Sequence, residues 1–239
     1  MIKKKGIGVI LFWLIIWQTV YIVIGSDVLF ASPYNTVCEI IKLILSSEFY
    51  KIIFCSFFRI AVGFFAGTAV GIILGIITGV NQTAYDLFKP AVNVIKAAPV
   101  ASFIILALAW LKSGEVPVFI SFLTVIPIIW ANITEGIRNI DAKLLEMAQV
   151  YNFTREMKLK KIYIPSLKPY MRSAVSTGAG FAFKSGIAAE VIGSPAFSIG
   201  RKLYESKIYL ETSQLFAWTA IIIVLSIIFE KVLGRLTGR

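Results

Sequence analysis

Histidine does not occur anywhere in the 239 residues of this chain. That absence removes histidine-based catalytic triads, histidine metal sites and Ser-His intramembrane proteases together. Charge is scarce too, at 15% of residues, whereas 58% are hydrophobic and the mean hydropathy is +0.82. A soluble domain is about half apolar and about a quarter charged, so this composition is that of an integral membrane protein. No G-x-x-x-x-G-K-[ST] loop is present, which excludes ATP binding by that route. No apolar run carries the paired carboxylates that a proton relay or a membrane metalloenzyme often requires. The two cysteines, Cys38 and Cys55, lack metal-ligand spacing and read as packing thiols, with a disulfide between them left open.

What the chain does contain is apolar runs of spanning length. Crossing about 30 Å of hydrocarbon takes roughly 20 helical residues. The candidate spans are 7–24, 57–80, 98–111, 116–134, 173–192 and 210–230. The first follows Lys3-Lys4-Lys5 and is longer than a signal-peptide core, with no convincing cleavage site after it, so it reads as a retained span. The third is short; Ala91 to Ala98 can extend it, with Pro99 as a kink. Between the first two spans, Ser32-Pro33 precedes a weakly amphipathic stretch, Thr36 to Leu45, expected as a short helix on the outer surface.

The net charge of +11 is distributed in short clusters. With the N-terminus inside, segments 1–6, 81–97, 135–172 and 231–239 hold sixteen Lys and Arg, against six in the external segments. That bias predicts six helices with both termini in the cytoplasm, and it argues against a nucleic-acid partner. No internal repeat is evident, and one membrane domain, 1–239, accounts for the chain.

Two patterns stand out within the spans. Gly63, Gly67, Gly71, Gly75 and Gly79 recur every four residues, forming a ridge without side chains that lets another helix approach closely. Lys184 sits near the middle of the fifth span beside Ser185. An intramembrane charge costs roughly 2.5–3.5 kcal/mol on insertion scales, so it must face protein or water. Either Lys184 and Ser185 line a path for an anionic solute, or Lys184 closes an internal salt bridge. Arg59, near the outer end of the second span, is expected to snorkel to the interface.

Residues 136–172 form a charged island with eight of the chain's 24 Lys and Arg. Asp141 can N-cap a helix over Ala142 to Tyr151, with Leu144, Leu145 and Ala148 on one face. Asn152 suits a left-handed position after it. Thr154 can N-cap a second helix, Arg155 to Tyr163, with Glu156 in its first turn. Pro165 is expected to stop that helix. A DNA-reading helix–turn–helix is a poor alternative, because membrane spans anchor both ends. A solvated loop that only sets topology would not need two capped helices.

Glu146-Met147-Ala148, three residues, Asn152, nine residues and Ile162-Tyr163-Ile164-Pro165 resemble the EAA loop of permeases in bacterial ATP-binding-cassette importers. The family pattern is Glu-Ala-Ala, three residues, Gly, nine residues, Ile-x-Leu-Pro. Every spacing agrees; Met147, Asn152 and Ile164 depart in residue type. Ser56-Phe57-Phe58-Arg59 with Gly63-Phe64, Lys96-Ala97-Ala98-Pro99 and Ala189-Glu190 further resemble the nitrate, taurine and alkanesulfonate branch.

The resemblance implies an all-α polytopic fold of type I importer permease architecture in the bacterial inner membrane. Its coupling loop would dock a cytoplasmic ATPase dimer through Glu146, Met147, Ala148, Asn152, Ile162 and Pro165. It further implies an extracytoplasmic substrate-binding protein, a second permease copy, and a small anion as cargo, related branches carrying vitamin precursors. No cofactor is expected in this chain itself; ATP and magnesium would sit on the ATPase. The alternative is a self-contained secondary carrier, which should show inverted repeats and interrupted helices in matching halves.

Overall fold

Five glycines decide the centre of the bundle. In a computed structural model, which describes the backbone of residues 2–236 and the side chains of residues 8–235, all five lie on one long helix and face one neighbour. That helix, α3 (Ser47–Val80), follows α1 (Ile2–Ile24) and α2 (Pro33–Leu45). The neighbour is α6 (Val116–Arg138). A methyl added at Gly63, Gly71, Gly75 or Gly79 would lie 2.7–2.8 Å from the Cβ of Ser121, Ile129, Ile133 or Ile137 in turn. Each pair is offset by the same 58 positions, so α3 and α6 run parallel with their four-residue ridges in register. The expectation of close helix packing at the glycine ridge is met in full.

Parallel neighbours require the intervening chain to return across the bundle. It does so in two pieces, α4 (Gln82–Ala97) and α5 (Val100–Leu108), bent by 95° at Ala98-Pro99. The kink expected at Pro99 is present, and its size makes the third span a bent pair of helices. Proline at 99 breaks the ladder, and nine residues of α5 rise only about 13 Å. At one end, Tyr85 of α4 stacks on Trp130 with ring centroids 5.7 Å apart, and Arg138 lies over the Tyr85 ring at 3.9 Å. At the other, Ile104 and Ala107 pack with Val116, Ile120 and Ala189.

The remaining long helices close the bundle. α7 (Ala142–Val150) and α8 (Arg155–Lys158) belong to the island and are followed by α9 (Ile164–Gly193), α10 (Ile199–Ile208) and α11 (Thr212–Leu236). α9 runs antiparallel to α6: Gly136 faces Leu167 and Tyr170, while Ser121 Oγ donates to Ala182 O at 3.1 Å. α11 runs beside α3, with Trp218 against Phe49 and Phe229 against Phe64 and Phe183. These residues, with Ile129 and Ile133, make the main core. α1 is peripheral and joins through Trp17, stacked on Phe216 of α11.

Among the described residues, Ser47–Val80, Val116–Arg138 and Thr212–Arg235 are long and apolar enough to cross a membrane unaided, and the bent pair makes a fourth if taken as one span. α9 has the length, at 30 residues, but carries Lys168, Arg172, Lys184 and Glu190. α3 is longer than the predicted 57–80 because Ser47 to Ser56 continue the helix, for about 51 Å in all. The expected short helix after Ser32-Pro33 is present, with Ser32 Oγ accepting from Asn35 N at 3.0 Å. Cys38 and Cys55 are free thiols. The basic cluster Lys3 to Lys5 and the C-terminal Arg239 lie outside the described side chains.

Candidate functional site

The island folds as two capped turns at one end of the bundle. Asp141 Oδ1 accepts from Lys143 N at 2.9 Å and opens α7. The helix closes with Asn152 at φ 50°, Asn152 N–H bonding Gln149 O and Phe153 N–H bonding Ala148 O. That pair of bonds is a Schellman motif, and the left-handed residue is the predicted one. Thr154 Oγ1 accepts from Met157 N at 3.2 Å and starts the next helix, as expected.

The EAA-like residues divide into two sets. Ala148 and Ile162 are buried, at 0% and 3% exposure, and hold the turn together. Glu146, Met147, Asn152 and Pro165 face outward, beside Val150 and Tyr151 at 77% and 72% exposure. Leu144 also faces outward at 40%, so the predicted apolar face is made by Leu145 and Ala148. An outward acidic and apolar surface with a buried scaffold suits docking of a protein partner.

Pro165 does not stop the second helix, which corrects the expectation. Residues 159–163 form a π-turn in which Ile164 N–H bonds Leu159 O, and α9 continues through Pro165 to Gly193. The extra residue in the turn relieves the clash between the proline ring and the carbonyl four residues earlier. The helical path from Arg155 to Gly193 is therefore unbroken.

That same helix carries Lys184, which is exposed on the isolated chain and makes no hydrogen bond or ion pair among the described residues. Among the described residues, the internal salt bridge is thus absent. Ser185 turns the other way: it is buried, its Oγ 3.0 Å from Thr124 Oγ1 and donating to Ala182 O at 3.3 Å. The two neighbours do not share a face, because successive helical residues diverge by about 100°.

The sequence reading missed a buried ionic cluster at the opposite end. Glu190 has no exposure and accepts from Ser56 Oγ at 2.8 Å, Gly200 N at 3.2 Å and Arg59 Nη1 at 3.4 Å. Arg59 also donates to Ala196 O and Phe197 O, so it binds protein instead of snorkelling. Ser56 Oγ accepts from Ile199 N as well. Together these tie the 194–198 loop, with Ser194 and Phe197 at positive φ, onto α3. Opposite charges at matching depth in spans two and five were the available signal.

The family described as "Binding-protein-dependent transport system inner membrane component" matches residues 67–237. SsuC of Bacillus subtilis, whose name describes an aliphatic sulfonates transport permease, is 27% identical over 93% of this chain and 78% of its own length. The nitrate import permease NrtB of Synechocystis is 29% identical over 75% of this chain and 68% of its own. The bicarbonate transport permease CmpB of Synechococcus elongatus is 27% identical over 62% of this chain and 54% of its own.

Proposed function

The chain belongs to the family of binding-protein-dependent transport system inner membrane components, and from that premise we propose that it is the membrane-spanning permease subunit of an ATP-driven importer for a small anionic solute. It is a transport component; ATP hydrolysis and its magnesium reside on a separate cytoplasmic ATPase dimer. Relatives named for sulfonates, nitrate and bicarbonate support the solute class, since all are small anions. An external binding protein delivers the solute, and both termini and the island lie on the cytoplasmic side. A second copy of the chain completes the pore.

The observation that carries this reading is the unbroken helix from the island into α9. A partner that moves α8 moves the helix bearing Lys184 with no break between them, and α7 is tied to α8 by the capped turn at Asn152. Lys184 lines the path between the two copies, where its charge meets water and solute instead of lipid. Switching a site from 1:99 to 99:1 takes about 5.5 kcal/mol of differential binding, which ATP-driven closure supplies through the island.

Glu146→Lys tests the coupling. In the reconstituted complex the variant is expected to assemble while losing ATP-dependent uptake; full coupled transport sinks the proposal. Lys184→Met is expected to reduce uptake at least tenfold with the complex intact, and unchanged uptake removes Lys184 from the path.

A further inference from the structure

Between α9 and α11, at the island end of the bundle, lies a cavity of about 550 Å³ whose lining includes Arg172, Ser173, Ser176, Glu230, Lys231 and Arg235. Its size is within the range of small-molecule sites. Three cations converge there against one carboxylate. Glu230 offsets part of that charge without contacting it: its Oε1 accepts from Ser176 Oγ at 3.0 Å, and it makes no ion pair among the described residues. The Arg172 Nη2 is shut from solvent and has no hydrogen-bond partner. A buried guanidinium nitrogen without an acceptor is unusual, because leaving such a donor unmet is unfavourable.

The cavity is also connected to Lys184. At about 100° per residue, Ser173, Thr177, Gly180 and Lys184 fall within an arc of about 60° on α9. Ser173, Thr177 and Lys184 are exposed and Gly180 is half-buried, with Glu230 Oε2 3.6 Å from where its Cβ would lie, so this stripe offers hydroxyls and one cation beside a single carboxylate. It runs about 16 Å from Lys184 to Ser173. A stripe of that character does not suit lipid tails.

We propose that this cavity is an oxyanion-binding site at the cytoplasmic mouth of the path, which receives the solute's anionic group from the Lys184 stripe before release. The ligand class is a compact oxyanion of the sulfonate, nitrate or bicarbonate type. Arg172, Lys231 and Arg235 supply the positive charge, and Ser173 provides a hydroxyl. The proposal rests on the reading of Lys184 as a path residue. A phospholipid headgroup presents the same oxyanion chemistry, and the test separates the two.

Inorganic sulfate is the probe, titrated calorimetrically into the permease–ATPase complex in phosphatidylcholine nanodiscs, with chloride holding the ionic strength constant. Saturable sulfate binding is expected, weakened at least tenfold by Arg172→Gln and by Lys231→Gln, the latter at an exposed side chain. Lys184→Met is expected to leave this binding within twofold while uptake falls. Absence of saturable binding in phosphatidylcholine overturns the proposal, as does binding that both cavity variants leave unchanged. Retention of phosphatidylglycerol by the parent but not the cavity variants, without sulfate binding, assigns a lipid site and also overturns it. If Lys184→Met transports normally while the cavity still binds sulfate, the path reading fails and the site itself stands.

Discussion

Gly71→Ala is the sharpest probe of how this bundle holds together. The added methyl carbon would lie 2.7 Å from Ile129 Cβ, 3.0 Å from Ile129 Cγ2 and 3.2 Å from Ile126 O, where ordinary contact begins at 3.4 Å. Ile129 cannot turn aside: it is fully buried, and a β-branched side chain in a helix has essentially one χ1 rotamer. The helices must therefore part by about 0.7–1 Å, and gaps of that size forfeit a quarter to a half of each dispersion contact along the seam. Overpacking of this kind costs about 1–3 kcal/mol, while replacing a helical glycine returns up to about 1 kcal/mol. A net loss of about 1–2 kcal/mol lowers the midpoint of thermal unfolding by about 2–8 °C for a chain of this size. Gly178→Ala on α9 is the internal control, since its nearest neighbours would be 3.6–3.8 Å away. It gains the same helical preference with no clash, so its midpoint should hold or rise. The assay is fluorescence-detected melting of the purified protein. Gly71→Ala melting with the parent, or Gly178→Ala melting below Gly71→Ala, would refute the reasoning.

Three further outcomes follow from the geometry. Glu190→Ala strips Ser56, Arg59 and Gly200 N–H of a buried acceptor, and removing one partner of a buried pair costs about 3–5 kcal/mol, so yield and melting temperature should both fall sharply; Ser56→Ala should fall less. Asn152 at φ 50° should accept glycine without loss, while Asn152→Val costs about 1–2 kcal/mol and reduces coupled ATPase activity. On α10, the Arg201 hydrogen bond at 2.8 Å and the nearby Lys202 charge hold the Glu205 carboxyl below its ordinary value. A lowered carboxylate contributes stability above its unfolded pKa of about 4.3 and loses it as pH falls through the folded value. Amide protection factors in α10 should therefore fall below about pH 4, and Arg201→Gln should weaken that dependence, Lys202 retaining part of it.

The island was legible residue by residue because its signals are local. Asp141, Asn152 and Thr154 each act on backbone groups two to four positions away, and each does what its chemistry predicts. Pro165 was misread because its effect depends on whether the preceding turn can widen, which the residue alone does not state. The bend at Pro99 was anticipated as a kink, but its 95° size was not, since the angle is set by what α4 and α5 pack against.

The chain's composition determined on its own that it is a membrane protein, and the length of its apolar runs that helices cross it. The four-residue glycine period determined that one helix face must meet another backbone, because a missing side chain is a property of the residue itself. Only the tertiary structure decided which helix that face meets and in what direction, that Glu190 partners Arg59 and Ser56, and that Lys184 and Ser185 part company. Those facts join residues as many as 134 positions apart. Their energies arise from the packed arrangement of several helices, and no local pattern encodes that arrangement.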